Sequence, residues 1–95
     1  MIQVRRTAEG DPFGFEVVVR EGNNGETRHQ VTMARGVWER LASGKDGPEA
    51  LVEAAFRFLL DREPKESILG CFDVTVISRY FPEFERELPQ YLRRS

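Results

Sequence analysis

The chain has very little of the side-chain chemistry on which most catalytic and metal sites depend. Its 95 residues include one cysteine, Cys71, and one histidine, His29. One cysteine cannot form a disulfide within the chain, which favours a reducing compartment, and no Cys/His spacing typical of zinc sites is present. No glycine-rich stretch leads into a Lys-Ser/Thr pair, as a phosphate-binding loop requires. The sequence therefore predicts no metal and no cofactor, and it favours a protein that is not an enzyme.

Long apolar runs and an excess of positive charge are also missing. No stretch approaches the roughly 18 apolar residues of a membrane span, and residues 1–6 lack the apolar run of a signal peptide. The formal net charge of −2 disfavours strong non-specific binding to nucleic acid, although it leaves room for a local basic face. We therefore predict a cytoplasmic protein with no membrane partner, for which DNA is not the favoured ligand.

What the chain does contain is the composition of one small globular domain. Hydrophobic residues make up 40% of it and aromatic residues 11%, which is sufficient for a modest core. No internal repeat and no linker divides the sequence, so we predict a single domain over residues 1–95.

The first third of the chain has the alternating pattern of a half-buried sheet. Strands are predicted at about 2–7, 13–20 and 27–33, with an Asn-Gly turn within 21–26 joining the last two. The short links between these strands predict an antiparallel meander with one face covered by helices. The apolar face of the third strand would carry His29, which we interpret as a packed histidine with satisfied hydrogen bonds.

The central stretch is the most apolar part of the chain and predicts a helix over about 48–63. Pro48 suits the first turn of a helix, and Pro64 disfavours the helical conformation of the residue before it. Further helices are predicted at about 36–42 and 82–88. The predicted fold class is therefore α+β.

The segment between Pro64 and the last predicted helix is harder to interpret. Its apolar spacing predicts a helix over about 67–80, but the β-branched run Val74–Ile77 keeps a strand open as an alternative. Cys71 lies among apolar residues and is predicted to be buried and inert. Pro89 is expected to break or kink the last helix, with fraying over 90–95.

Charged residues of the second half have a simple interpretation as solvent-exposed surface. Glu83, Glu85 and Glu87 alternate along a short helix and are predicted to form a solvated face. The charged stretch 61–66 around Pro64 is interpreted as a solvated corner with weak local ion pairs. A corner that docks a partner is the alternative.

The polar face of the predicted sheet is the candidate binding face. Arginine and glutamine at alternate strand positions can reach base edges when a β-ribbon enters a major groove. The plainer interpretation is an ordinary solvated sheet face, since Glu16 lies in its middle. The candidate residues are Arg5, Arg20, Arg28, Gln30 and Thr32.

Residues 28–63 resemble a ribbon-helix-helix pattern, through RHQVTM at 28–33, VWERL at 37–41 and PEALVEAAF at 48–56. In that family the strands of two protomers pair and their polar residues contact DNA. The resemblance implies that Arg28, Gln30 and Thr32 would be the residues that recognise the DNA sequence. The chain departs from the pattern in two ways. A hairpin precedes the strand and should occupy one of its edges, and no Ser/Thr cap opens the second helix. The arrangement is also similar to HicB-type antitoxins, whose larger N-terminal domain this length does not match.

A second resemblance spans most of residues 28–88. The strings FLLDREPKESIL, FD and ISRYFPE, which begin at positions 58, 72 and 77, are similar to those of a group of small uncharacterised bacterial proteins. This resemblance implies no activity.

We therefore predict a non-enzymatic protein-interaction module that binds another protein or itself. The alternative is a ribbon-helix-helix-like DNA-binding regulator or an antitoxin-like protein. Exposed aromatic residues among Trp38, Tyr80 and Tyr91 would favour protein binding, and a basic stripe in a two-fold dimer would favour DNA binding. A pocket lined by His29, Tyr80 and a carboxylate of shifted pKa would instead favour an enzyme or a ligand-binding domain.

Overall fold

A computed structural model describes residues 1–22, 25–42 and 45–93. Its four strands are β1 (Ile2–Ala8), β2 (Phe13–Arg20), β3 (Glu26–Met33) and β4 (Cys71–Asp73). Its helices are α1 (Arg35–Ala42), α2 (Pro48–Leu60), α3 (Ile77–Tyr80) and α4 (Phe84–Arg93), with 3-10 turns at Lys65–Ser67 and Val74–Val76. The α+β class predicted from the sequence is confirmed.

Some of the predicted features lie outside the described residues. These are the two asparagines of the predicted turn and the last two residues of the chain, at positions 23–24 and 94–95. The adjoining Gly25 has a φ of 80°, a conformation that glycine adopts at little cost.

The first three strands form the predicted antiparallel meander, in the sheet order β1-β2-β3-β4. Val4 lies opposite Val17, and Phe15 lies opposite Val31, so most apolar residues of the three strands share one face, while Val18 lies on the other. The helices cover that face, and α2 packs at its centre with seven hydrophobic side chains no more than 3% exposed. They are Leu51, Val52, Ala54, Ala55, Phe56, Phe58 and Leu59.

The fourth strand was not predicted, because its only partner is β3, which lies far away in the sequence. β4 runs parallel to β3 and places Phe72 beside Val31, and the N–H of Gln30 donates to the carbonyl of Gly70 at 2.8 Å. The predicted helix over 67–80 is therefore wrong for its first half. The β-branched run at 74–77 is helical rather than extended, because it follows the cap that Asp73 provides to the N–H of Thr75 at 3.1 Å.

Register also corrects the prediction for Cys71, which is exposed rather than buried. Successive side chains of a strand point to opposite faces. Phe72 is 8% exposed and faces the core, so its neighbours Cys71 and Asp73 lie beside Gln30 and Thr32 on the outer face.

The ends of α2 and α4 differ from the prediction, and α4 also begins at Phe84, two residues later than predicted. α2 ends at Leu60, three residues earlier than predicted, because the N–H groups of Arg62 and Glu63 both bond to the carbonyl of Leu59 and tighten the last turn. α4 continues through Pro89 to Arg93, where a break or kink and then fraying were expected, so the break is wrong. Tyr91 is 6% exposed in this last part, so packing against the core outweighs the roughly 3 kcal/mol cost of an interior proline.

Candidate functional site

The sheet face opposite the helices carries all five residues of the candidate binding face. Arg5 lies on β1, Arg20 on β2, and Arg28, Gln30 and Thr32 on β3, and all five are exposed. The structure thus brings together the residues that the strand pattern grouped. With Gln3, Val4, Glu16 and Val18, the three arginines line an open hollow of about 460 Å³.

The arginines of this face are already paired with carboxylates of the same face. Arg5 Nη2 lies 2.8 Å from Glu16 Oε1, and Arg20 Nε lies 2.8 Å from Glu26 Oε1. Arg28 contacts both carboxylates, at 3.7 Å from Glu16 and 2.9 Å from Glu26. Hydrogen bonds from Arg5 and Arg20 hold the pKa of Glu16 and Glu26, respectively, below their usual range. Three arginines sharing two glutamates leave little free positive charge for an anionic ligand.

The third strand has neighbours along both of its edges. β2 pairs with it over its full length, and β4 occupies the other edge from Gln30 to Thr32. The Thr32 hydroxyl also donates to Asp73 Oδ1 at 2.6 Å. A second protomer could not pair with this strand along the 30–32 stretch unless β4 were displaced.

A different site lies where the end of α2, the segment 67–69 and α3 meet. It is a pocket of about 190 Å³, here called the apolar groove. The sequence indicated Tyr80 as a candidate binding residue, but it did not predict this pocket. Its ten lining residues are Leu59, Glu63, Ser67, Ile68, Leu69, Phe72, Val76, Ile77, Tyr80 and Phe81.

Two large side chains of the apolar groove are open to solvent. Leu69 is 47% exposed and Tyr80 is 67% exposed, and Met1 is the other large hydrophobic residue that is exposed in the described parts of the chain. The other two aromatics that were considered for binding are not available. Tyr91 is 6% exposed, and half-buried Trp38 donates from Nε1 to the carbonyl of Asp46 at 2.9 Å.

Glu63 is the charged residue that lines the apolar groove. Its side chain is half-buried, and burial raises its pKa above the usual value. Within the described parts of the chain, its carboxylate takes part in no hydrogen bond or ion pair.

Arg62, the cation that precedes Glu63 in the sequence, binds other carboxylates. Its guanidinium lies 3.7 Å from the centre of the Phe58 ring and donates to Glu83 at 3.1 Å and Glu87 at 2.8 Å. Burial alone would lower the pKa of Arg62, but hydrogen bonds to Tyr91, Glu83 and Glu87 outweigh it and raise the pKa.

These contacts correct the interpretation of Glu83, Glu85 and Glu87 and of the charged stretch 61–66. Glu83 and Glu87 bind Arg62, and Glu85 binds Arg40 at 2.5 Å, so they connect elements instead of forming a solvated face. In the stretch 61–66, Lys65 forms a local ion pair with Glu66 at 2.7 Å, as predicted, and also lies 3.7 Å from the distant Glu21. Its side chain is only 3% exposed, so this stretch is not fully solvated.

The wall of the groove at Leu69 is attached to the sheet by His29. This histidine is 2% exposed, and its Nδ1 lies 2.7 Å from the carbonyl oxygen of Leu69 while Nε2 lies 2.8 Å from the Thr27 hydroxyl. Its ring packs against Phe56 at 5.3 Å between centroids. The prediction of a packed, hydrogen-bonded histidine is confirmed, and His29 does not line the groove.

The described residues contain no group of three or more His, Cys, Asp or Glu side chains arranged to hold a metal ion. None of the helices in these same ranges is both long enough and apolar enough to span a bilayer.

Comparison with known proteins found no matching family model, no matching curated protein and no matching solved structure. The two resemblances noted in the sequence therefore stay predictions.

Proposed function

We propose that this chain is a non-enzymatic protein-interaction module that docks a partner protein at the apolar groove. The observation that carries the proposal is the exposure of Leu69 and Tyr80 on the lining of an open pocket whose other walls are mostly apolar. Aromatic side chains such as that of Tyr80 are enriched at the core of protein interfaces. Tyrosine is also among the residues that contribute most to binding energy at protein interfaces.

The walls of the groove are held by the packing beneath them, which supports a preformed site. The ring of Phe72 packs on Phe56 at 5.9 Å between centroids, and Phe81 meets Phe58 edge-on at 5.9 Å. The hydrogen bond from His29 holds the main chain at Leu69. A site that does not have to order itself on binding loses less conformational entropy.

The size and chemistry of the groove favour a protein partner over a substrate. Small-molecule sites usually measure about 300–1,000 Å³, and the groove has a volume of about 190 Å³. Tyr80 and a carboxylate of raised pKa do line it, as an enzymatic site would require. The third group of that expectation, His29, is instead buried with both ring nitrogens engaged.

DNA binding by the sheet face has less support. Its arginines are paired with Glu16 and Glu26, and β3 has neighbours on both sides. The proposal retains a cytoplasmic location, because the exposed thiol of Cys71 has no partner cysteine within this chain and suits a reducing compartment.

The test is partner capture from a lysate of the source cell with three baits. They are the wild type, the groove variant Leu69→Glu/Tyr80→Asp, and a matched sheet-face variant Arg20→Ala/Arg28→Ala. Both substituted pairs are exposed, so all baits should fold, which circular dichroism checks. We expect the same protein on the wild type and the sheet-face variant and its loss from the groove variant. Retention by the groove variant would refute the proposal.

A further inference from the structure

The size of the apolar groove limits what a partner can place in it. An engineered protein cavity of about 150 Å³ accepts one benzene molecule, so the groove, at about 190 Å³, has room for one large apolar side chain. A helix face or a strand would therefore contact the groove through a single anchor residue, with Leu69 and Tyr80 against the flanking backbone.

The carboxylate of Glu63 adds a charge requirement. A half-buried carboxylate in apolar surroundings loses hydration and is costly unless a hydrogen-bond donor or cation compensates it. The two nearest cations in the sequence are committed to other acids, since Arg62 binds Glu83 and Glu87 and Lys65 binds Glu66. Glu63 is therefore the charged group of the groove that an incoming cation can satisfy.

We infer that the partner segment places one large apolar side chain in the groove and a lysine or arginine beside it, on the carboxylate of Glu63. This inference rests on the proposed docking at the groove. The approach of a cation would also reverse the effect of burial on this carboxyl, because a nearby positive charge favours the ionised form. Affinity would come from the apolar anchor, and selection among apolar segments would come from the ion pair.

The test begins with a displayed library of random peptides of about 12 residues, a length that covers the recurring modes of peptide recognition. The library is selected on the wild type after depletion on the groove variant Leu69→Glu/Tyr80→Asp. We expect enrichment of peptides with an aromatic or long aliphatic residue and a lysine or arginine within a few positions of it.

Affinities of one selected peptide, and of the same peptide with its lysine or arginine replaced by glutamine, then isolate the ion pair. Glu63→Gln keeps the shape of the side chain and removes an unpaired charge, so the fold is not at risk. It should weaken the cationic peptide about tenfold and leave the glutamine peptide nearly unchanged, which a double-mutant cycle measures. The matched control Glu39→Gln removes an exposed acid of α1 that does not line the groove, and it should change affinity by less than about twofold.

The outcomes separate this inference from the proposed docking. Enriched peptides without an excess of lysine or arginine, or equal binding by the wild type and Glu63→Gln, would refute the cation while leaving docking at the groove intact. If no peptide is enriched over the depletion variant, docking of a peptide segment at the groove fails, and the inference fails with it.

Discussion

His29 Nδ1 lies 2.7 Å from the carbonyl oxygen of Leu69, which joins the centre of the sheet to the wall of the apolar groove. A carbonyl oxygen only accepts hydrogen bonds, so Nδ1 carries the proton, and in the neutral ring Nε2 accepts from the Thr27 hydroxyl at 2.8 Å. The pairing spans 40 residues of sequence. A buried histidine in this chain therefore acts as a structural tie that positions the candidate site.

Replacing His29 by phenylalanine should destabilise the fold and loosen the groove. The substitution keeps an aromatic ring against Phe56 but leaves the Leu69 carbonyl without its donor, at a cost of about 2 kcal/mol in the free energy of unfolding. Urea denaturation measures the loss, and hydrogen exchange should accelerate over 68–71. Thr27→Val removes only the hydrogen bond between the Thr27 hydroxyl and His29 Nε2. An equal loss of stability in that variant would contradict the role given to the Leu69 contact.

Arg62 is expected to be the ion-paired residue whose loss destabilises the fold most. Arg62→Ala removes the stacking on Phe58 and leaves Glu83 and Glu87 without their shared cation, so we expect a loss of about 2 kcal/mol. Arg62→Lys keeps the charge but cannot form the same planar contacts, and its loss should be intermediate. The control Arg40→Ala breaks a more exposed pair with Glu85 and should cost less in the same thermal unfolding measurement.

Asp73 should contribute stability that disappears in acid. Burial works to raise the pKa of its carboxyl, but hydrogen bonds from Thr32 and Thr75 outweigh burial and lower the pKa from the usual 3.8. A lowered pKa in the folded state gives stability that is present above the unfolded value and is lost as the pH falls through the folded value.

The comparison for this residue is Asp73→Asn, which retains a capping oxygen but no charge. The variant should be less stable than the wild type at pH 7, and the difference should shrink as the pH falls below about 3.8. Chemical denaturation from pH 7 to acid measures it. A difference that does not depend on pH would show that the charge of Asp73 contributes nothing.

The charged carboxylate of Glu63 should lower the stability of the fold, which is the opposite of the effect expected for Asp73. Burial raises the pKa of its carboxyl above the usual 4.5, so the charged form destabilises the folded state and the penalty is complete above the folded pKa. Glu63→Gln should therefore be slightly more stable than the wild type at pH 7 and equal to it once the pH falls below about 4.5. The same denaturation series measures this effect. Lower stability of the glutamine variant at pH 7 would mean that the carboxylate already has a partner.

The sheet face should not bind DNA while its arginines are paired. Fluorescence anisotropy with a mixed pool of short duplexes at low salt should show no saturable binding by the wild type. Glu16→Gln/Glu26→Gln leaves Arg5, Arg20 and Arg28 without their carboxylates and should acquire weak binding that falls as salt rises. Wild-type binding that is lost in Arg20→Ala/Arg28→Ala would favour the DNA-binding alternative.

Much of the fold could be predicted because its signals are local. The period-two alternation of β1, β2 and β3 and the wide apolar surface of α2 are visible in short stretches, and the structure confirms both. Part of the candidate face could be predicted as well, because alternation alone assigns Arg5, Arg28 and their neighbours to one side of the sheet. Their pairing with Glu16 and Glu26 depends on strand register, which the short links restrict but do not specify.

The sequence by itself determined the class of the fold, the meander and the burial of the central helix, because side-chain periodicity within one element selects the face it buries. The tertiary structure decided what depends on partners distant in the sequence. It formed β4 against β3, turned Cys71 outward, and kept α4 helical through Pro89. It also assembled the apolar groove from α2, the segment 67–69 and α3. The free energy of these features comes from packing between elements, for which no short stretch of sequence has a distinctive pattern.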